Sequence, residues 1–375
     1  ISSRDEDRYR AESVGEWTVR VGDMDDNAAR YTLQISRHSS RKTAQDKVTE
    51  LRRQGIAARF REQGDALRMG DDIIAGESIF MVYTQRRFDS REAAKAFREQ
   101  HIPVRNAAIH TETGGMAGTL VLTSPNGKAL RFSNAVRLAG AKITLSNVAV
   151  GTGYHWSRRE SRTYAGELEL RIDDEGKISA INVLTMADYL KGVLPGEMSP
   201  TFPLEALKAQ AIAARTFFLH QFGRKHPNDP FDVCADVHCQ AYVGLKNYDE
   251  KIDQAVRETQ GIIMMYEGRL CETPYSAVCG GHTEHAQNVW NSDGQPYLVG
   301  VFDVETPETF ASFDLSEESN VRRWIQSAPK VFCNVENGGD PGFASYAKKF
   351  FRWEVQVPRS TLESSLKKYI GQDFG

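Results

Sequence analysis

Apolar residues recur at helical spacing most clearly between Thr185 and Phe222, where the chain reads TMADYLKGVLPGEMSPTFPLEALKAQAIAARTFFLHQF. The pattern predicts two helices with a short break. Thr185 with Asp188 makes a capping-box-like start, and the apolar residues behind it carry a first helix to about Val193. Pro195 removes a backbone donor and Gly196 admits unusual backbone angles, so this pair is expected to end it. Pro203 then stands at a first helical position with Glu205 in the first turn, and Leu204, Leu207, Ala211, Ala214 and Phe218 form a core-facing stripe. Glu197 is thereby expected on a non-helical elbow, its carboxylate free to face a cleft. Lys208 and Arg215, two turns apart, fall along one helix face. On spacing alone these are a surface glutamate and two snorkelling cations.

The remaining pattern predicts a multi-domain α+β chain. Residues 1–28 are expected to be a flexible, charged N-terminal segment, although Trp17 to Val21 alternates like a half-buried strand. Residues 29–105 repeat one unit. A Ser- or Asp-capped helix opens at Ser39-Ser40 and again at Asp89-Ser90, and each leads into a short apolar run, Ile56 to Phe60 and His101 to Val104. With the strands Tyr31 to Ile35 and Ile79 to Tyr83 this gives a small βαββαβ domain of ferredoxin-like topology, a topology that serves many functions. Residues 106–184 are β-rich, with strands near Thr119, Leu130, Lys142, Leu168 and Ile178 and turns such as Ser124-Pro125-Asn126-Gly127 between them. A mixed helix and strand core is expected over 185–375, closing with an alternating strand, Phe350 to Val357, and a helix from Ser360 to Tyr369.

Composition narrows the classes. The 375 residues are 40% hydrophobic and 26% charged with a net charge of -3, which fits a globular chain and argues against general nucleic-acid binding. No run of apolar residues is long enough for a transmembrane segment, and no signal peptide stands at Ile1. All five cysteines lie in the second half, too few for a disulfide scaffold and odd in number. Two constellations carry candidate chemistry beyond the helix pair. In Phe231-Asp232-Val233-Cys234-Ala235-Asp236-Val237-His238-Cys239, the Cys-x4-Cys spacing is alone a weak metal signal, and a disulfide is the competing use. In Tyr275-Ser276-Ala277-Val278-Cys279-Gly280-Gly281-His282-Thr283-Glu284, followed by Trp290 and Tyr297, adjacent glycines suit close sugar approach and aromatic faces suit stacking on pyranose rings.

YLKGVLPGEM followed by PLEALKAQAIAARTF closely resembles the SpoIID/LytB family of peptidoglycan-acting proteins, as do the F-D-V-C…H-C-Q-x-Y phrase and the G-G-H-T-E, V-W and P-Y-L phrases. The repeat in 29–105 resembles, less specifically, the SPOR domain, a module that binds glycan strands stripped of peptides. The resemblance implies a lytic transglycosylase of the cell envelope, periplasmic or extracytoplasmic, cleaving MurNAc-GlcNAc bonds to 1,6-anhydro products. Glu197 would be its catalytic acid. Lys208, Arg215, Ser276, Gly280, Gly281, His282, Trp290 and Tyr297 would bind substrate. A structural Zn2+ would take Cys234, His238 and Cys239, with His226 or Cys279 as a fourth ligand, and catalysis would need no cofactor. Cys279 departs from the family, which commonly has serine there. The family's later serine-glycine-arginine phrase is also missing, so the catalytic core is expected to be C-terminally shortened. The rival implication is a non-catalytic amidase enhancer, which binds glycan and stimulates an N-acetylmuramoyl-L-alanine amidase. A metal-stabilised scaffold indifferent to Glu197 is a third.

Overall fold

A computed structural model describes residues 15–25, 30–63, 67–69, 72–75, 79–111, 117–152, 156–173, 175–226, 229–290, 294–310, 313–335 and 348–373. The chain divides into two compact units, 1–273 and 274–375, so the core expected over 185–375 is shared between them.

Within the first unit, strands Tyr31–His38, Ala58–Gln63, Ile79–Thr84 and Ala108–Thr111 form one antiparallel sheet. Numbered by first appearance in the chain, their spatial order is second, third, first, fourth. Helices α1 (Arg41–Arg53) and α2 (Arg91–Gln100) complete a strand–helix–strand–strand–helix–strand sequence. Both start as the pattern predicts: Ser40 accepts from the Thr43 amide and Ser90 from the Ala93 amide, satisfying otherwise orphaned donors. Leu33, Val48, Leu51, Val82 and Phe88 form the core beneath the helices. The run His101 to Val104 is not a strand. Pro103 places Ile102–Val104 in a 3-10 turn, and the strand begins only at Ala108. Ile79, Met81 and Tyr83 are also buried, so the central strand is covered on both faces.

Thr18–Asp25, inside the segment expected to be flexible, is a strand paired antiparallel with Ala117–Thr123, which in turn pairs with Ala129–Ser133. The module from Tyr31 to Thr111 is thus inserted between two neighbouring strands of a different sheet. A further sheet joins Ala135–Ala139, Glu167–Ile172 and Ile178–Val183, and Ile143–Val150 pairs with Arg158–Tyr164. Strands Ala135–Ala139 and Arg158–Tyr164 were not evident in the pattern; the second is mostly polar and holds its place through the ladder to its neighbour.

These strands deliver the chain to α3 (Met186–Glu197), α4 (Leu204–Gln221) and α5 (Glu250–Glu258). Leu168, Leu170, Leu190, Val193, Leu194, Leu207, Ala211, Ala214 and Ile252 share one core. The first helix does not stop near Val193. It passes through Pro195 and ends at Glu197, because a proline this close to the end forfeits one backbone bond while the Met198 amide still donates to the Leu194 carbonyl at 2.8 Å.

The second unit has little regular structure among its described residues: α6 (Ala286–Trp290), α7 (Glu318–Gln326), the short helix Lys348–Phe351 and the helix Arg359–Asp373. Trp324, Val331 and Phe351 centre its core. The alternating run from Phe350 is not a strand: its first two residues close the short helix, and no described residue pairs with Trp353, Val355 or Val357, which are exposed. Alternation prepares a strand but cannot supply the partner edge whose hydrogen bonds make one.

Candidate functional site

Glu197 sits at the C-terminal end of α3, half-buried, on a helical residue rather than an elbow. What fixes it is the segment Gln240 to Leu245, which crosses the helix like a strap. Gly192 and Gly196, one turn apart, open the helix face that receives it. A Cβ at Gly192 would lie 2.3 Å from the Tyr242 ring, and one at Gly196 would lie 2.5 Å from the Ala241 carbonyl oxygen. The Val243 amide donates to the Gly192 carbonyl at 2.9 Å, and the Ala241 amide donates to Glu197 Oε1 at 2.7 Å. Gln240 Nε2 donates to the Tyr189 hydroxyl and to the Ala214 carbonyl, bridging α3 and α4. Tyr242 stacks between Tyr164 and Tyr189 with centroids 6.2 and 5.6 Å away, and its hydroxyl donates to Asn182 Oδ1 at 2.6 Å. Burial pushes the Tyr189 and Tyr242 hydroxyls well above the usual tyrosine range, so both remain neutral. Near the carboxylate in sequence, Leu194 belongs to the core, and Met198 and Phe202 pack on its edge.

The strap begins beside a compact group of His226, Cys234, His238 and Cys239, whose donor atoms all lie within 4.8 Å of one another. Cys239 Sγ is 3.3 Å from His226 Nε2 and 3.7 Å from His238 Nδ1, and Cys234 Sγ is 3.8 Å from His238 Nδ1. Tetrahedral zinc with its usual bond lengths sets sulfur and nitrogen donors about 3.3–3.8 Å apart, so this donor set fits that ion. Asp229 Oδ2 lies 2.7 Å from His226 Nδ1, the partner that would hold the ring with Nε2 turned toward a metal. The hydrogen bond with Cys239 draws the Cys234 thiol well below the usual thiol range, whereas the same contact and burial push Cys239 upward. His226 therefore completes the set with Cys234, His238 and Cys239, and Cys279 belongs elsewhere.

Lys208 and Arg215 are both engaged. Lys208 Nζ contacts Glu205 at 2.8 Å and Glu258 at 2.6 Å, carboxylates that raise its pKa. Arg215 is buried, donating to the Ile262 carbonyl at 2.9 Å and to Thr259 Oγ1 at 3.3 Å, so it braces the chain leaving α5. In the second unit, Gly280 and Gly281 adopt positive φ values of 72° and 98°. A Cβ at Gly281 would lie 2.8 Å from the Trp324 ring, so this glycine serves local packing. His282 bridges Phe302 and meets its ring edge-on at 4.6 Å. Ser276 and Trp290 are exposed, and Tyr297 is half-buried. Sequence reasoning missed Asp229, the Ala241 amide and the Gly192–Gly196 face. The H-x-x-D and G-x-x-x-G spacings were their signals.

The carboxylate held at a helix end and the nearby Cys2His2 group both fall in one stretch that comparison with known proteins matches. Residues 174–266 match the stage II sporulation protein family, SpoIID, so this segment of the chain is a SpoIID domain. Residues 284–375 match a domain of unknown function. An uncharacterized protein of Brachyspira hyodysenteriae is 46% identical over 121 residues, 32% of this chain and 33% of that protein. The amidase enhancer of Bacillus subtilis is 37% identical over 129 residues, 34% of this chain and 17% of its own. Stage II sporulation protein D of the same organism is 28% identical over 225 residues, 54% of this chain and 64% of its own. The chain thus spans less than two thirds of the length of each of these relatives.

Proposed function

We propose that this chain is a peptidoglycan lytic transglycosylase with Glu197 as general acid and base. The observation that carries the reading is the Glu197 carboxylate, fixed by the Ala241 amide at 2.7 Å inside the SpoIID-matching segment. Lytic cleavage asks for one such group. The acid protonates the glycosidic oxygen, the bond to C1 of MurNAc breaks, and the resulting carboxylate takes the proton from the sugar's own C6 hydroxyl as that oxygen closes on C1. The nucleophile belongs to the substrate, so the second carboxylate of ordinary glycosidases is not needed.

In this reading His226, Cys234, His238 and Cys239 hold a structural zinc ion, whose part is to tie down the loop that leads into the strap. The module from Tyr31 to Thr111 is a SPOR-like glycan-binding domain, a reading supported by its element sequence and by the ferredoxin-like strand order. Arg86, whose guanidinium lies over the Phe88 and Phe97 rings, is one candidate glycan contact. Such a substrate puts the protein in the cell envelope. Mass spectrometry of purified glycan strands tests the proposal: 1,6-anhydro ends are expected with the wild type and not with Glu197→Gln.

A second reading, an enhancer that binds glycan and stimulates a cell-wall amidase, is favoured by the likeness to the Bacillus subtilis amidase enhancer. It predicts glycan binding without cleavage, and faster peptide release when an amidase is added.

A further inference from the structure

The second unit carries its own cluster of ligand-type side chains, far along the sequence from the helix pair and largely within the segment that matches a domain of unknown function. Cys279 Sγ and Cys333 Sγ lie 3.6 Å apart, and both fall within 4.8 Å of a carboxylate oxygen of Asp303. We propose that Cys279, Asp303 and Cys333 form a second metal site, taking a soft divalent cation of the zinc class through two thiolates and one carboxylate.

Three segments are locked together around these atoms before any ion is considered. The Asp303 amide donates to the Gly281 carbonyl at 3.0 Å, the Phe332 amide donates to the Asp303 carbonyl at 2.9 Å, and the Cys333 amide donates to Asp303 Oδ2 at 2.9 Å. The positive φ of Gly280 and Gly281 turns the chain immediately after Cys279, which lets its sulfur reach the other two groups. The carboxylate is therefore aimed rather than free. The sulfur separation matches two thiolates sharing a tetrahedral ion, which stand about 3.7 Å apart.

Charge points the same way. With an ion bound, two thiolates and a carboxylate would converge in a half-buried place, where uncompensated negative charge is costly. Arg352 supplies one positive charge beside Cys333, its guanidinium held by the carbonyls of Gly280, Trp324 and Ile325. A divalent cation brings the sum to neutrality. The unit also has need of a staple. Trp324, Val331 and Phe351 are the only buried members of its main described core, and small cores are often completed by metal. Three protein ligands leave a fourth position to water or to an oxygen ligand.

The test is metal analysis of the full chain after loading with zinc alone and desalting. The wild type is expected to hold about two equivalents, one for each four- or three-ligand group. Cys234→Ser/Cys239→Ser should keep the second-unit equivalent, and Cys279→Ser/Cys333→Ser should lose it. Asp303→Asn, which preserves both thiols, should weaken zinc binding there by about tenfold or more. Zinc should also protect Cys279 and Cys333 from iodoacetamide until a chelator is added, a readout that does not depend on how well the variants fold. Two results would overturn the site: free alkylation of Cys279 and Cys333 in zinc-loaded wild type, or a disulfide between them in the protein as purified. Loss of the first equivalent alone would count against the His226 group and leave this one standing.

Discussion

The helices of residues 185–273 and the loops of 274–375 hold their candidate site side chains by different means. In the first region Leu190, Val193, Leu194, Leu207 and Ala211 are completely buried, and the strap lies against a helix face already fixed by that core. In the second, Trp324 and its few neighbours are joined by backbone bonds between short segments, with a cysteine–carboxylate cluster at their junction. Burial of apolar area is cooperative and tolerant of local detail, whereas a fold made of turns depends on each turn. The comparison predicts that chemistry resides on the rigid side and that the second region is the more easily loosened.

Substitution of Glu197 should have the largest effect. Glu197→Gln is expected to slow release of anhydro products by about 10³-fold, with glycan binding retained in a pull-down on insoluble strands. His282→Ala and Trp290→Ala should reduce binding instead; a loss of turnover from either as deep as that from Glu197→Gln would move the chemistry into the second unit.

Next come the glycines. Gly192→Ala and Gly196→Ala force a methyl group into the Tyr242 ring and the Ala241 carbonyl, and should each destabilise the first unit by about 1–3 kcal/mol in urea denaturation. Gly281→Ala should act as strongly on the second unit, since it combines a positive φ with a methyl 2.8 Å from Trp324. Gly261→Ala, at φ +78° but in open space, should cost only about 1 kcal/mol. Equal losses at Gly196 and Gly261 would remove the argument that the glycine face exists to seat the strap.

Arg215→Leu leaves the Ile262 carbonyl and Thr259 hydroxyl without their buried donor and should cost about 2 kcal/mol, measured by thermal melting. An effect on cleavage without any loss of stability would instead give Arg215 the substrate role that its family resemblance implies.

The smallest effect concerns pH. Burial, with Arg224 beside it, pulls His220 on α4 down to about 4. The unfolded chain therefore binds a proton at this residue between about pH 6.5 and pH 4 that the folded chain does not, so stability falls as pH drops through that window. His220→Gln should flatten this part of the stability profile, and an unchanged profile would show that the ring is not buried as described.

The sequence disclosed most where one physical rule acted alone. Ser40, Ser90 and Thr185 cap helices because a hydroxyl at that place meets orphaned amides, and the stripe on α4 reports burial directly. It misled where a rule needed a partner elsewhere. Phe350 to Val357 alternates without an edge to pair with, and Pro195 breaks no helix because the helix was about to end. Insertion of the Tyr31–Thr111 module between Thr18–Asp25 and Ala117–Thr123 could not be read at all, since strand pairing across so many residues leaves no local pattern. The metal group was half legible: Cys234, His238 and Cys239 are adjacent in sequence, while His226 and its partner Asp229 precede them by a loop.

In the proposed function the loop tied by the Cys2His2 group presents the Ala241 amide to Glu197. Glycan strands should be digested with zinc-loaded protein, with protein stripped by a chelator, and with stripped protein given zinc again, while circular dichroism follows the fold. Cleavage to anhydro products is expected to disappear on stripping and to return with zinc, with the helices of the first unit retained throughout. Cleavage at the full rate by the stripped protein would contradict it.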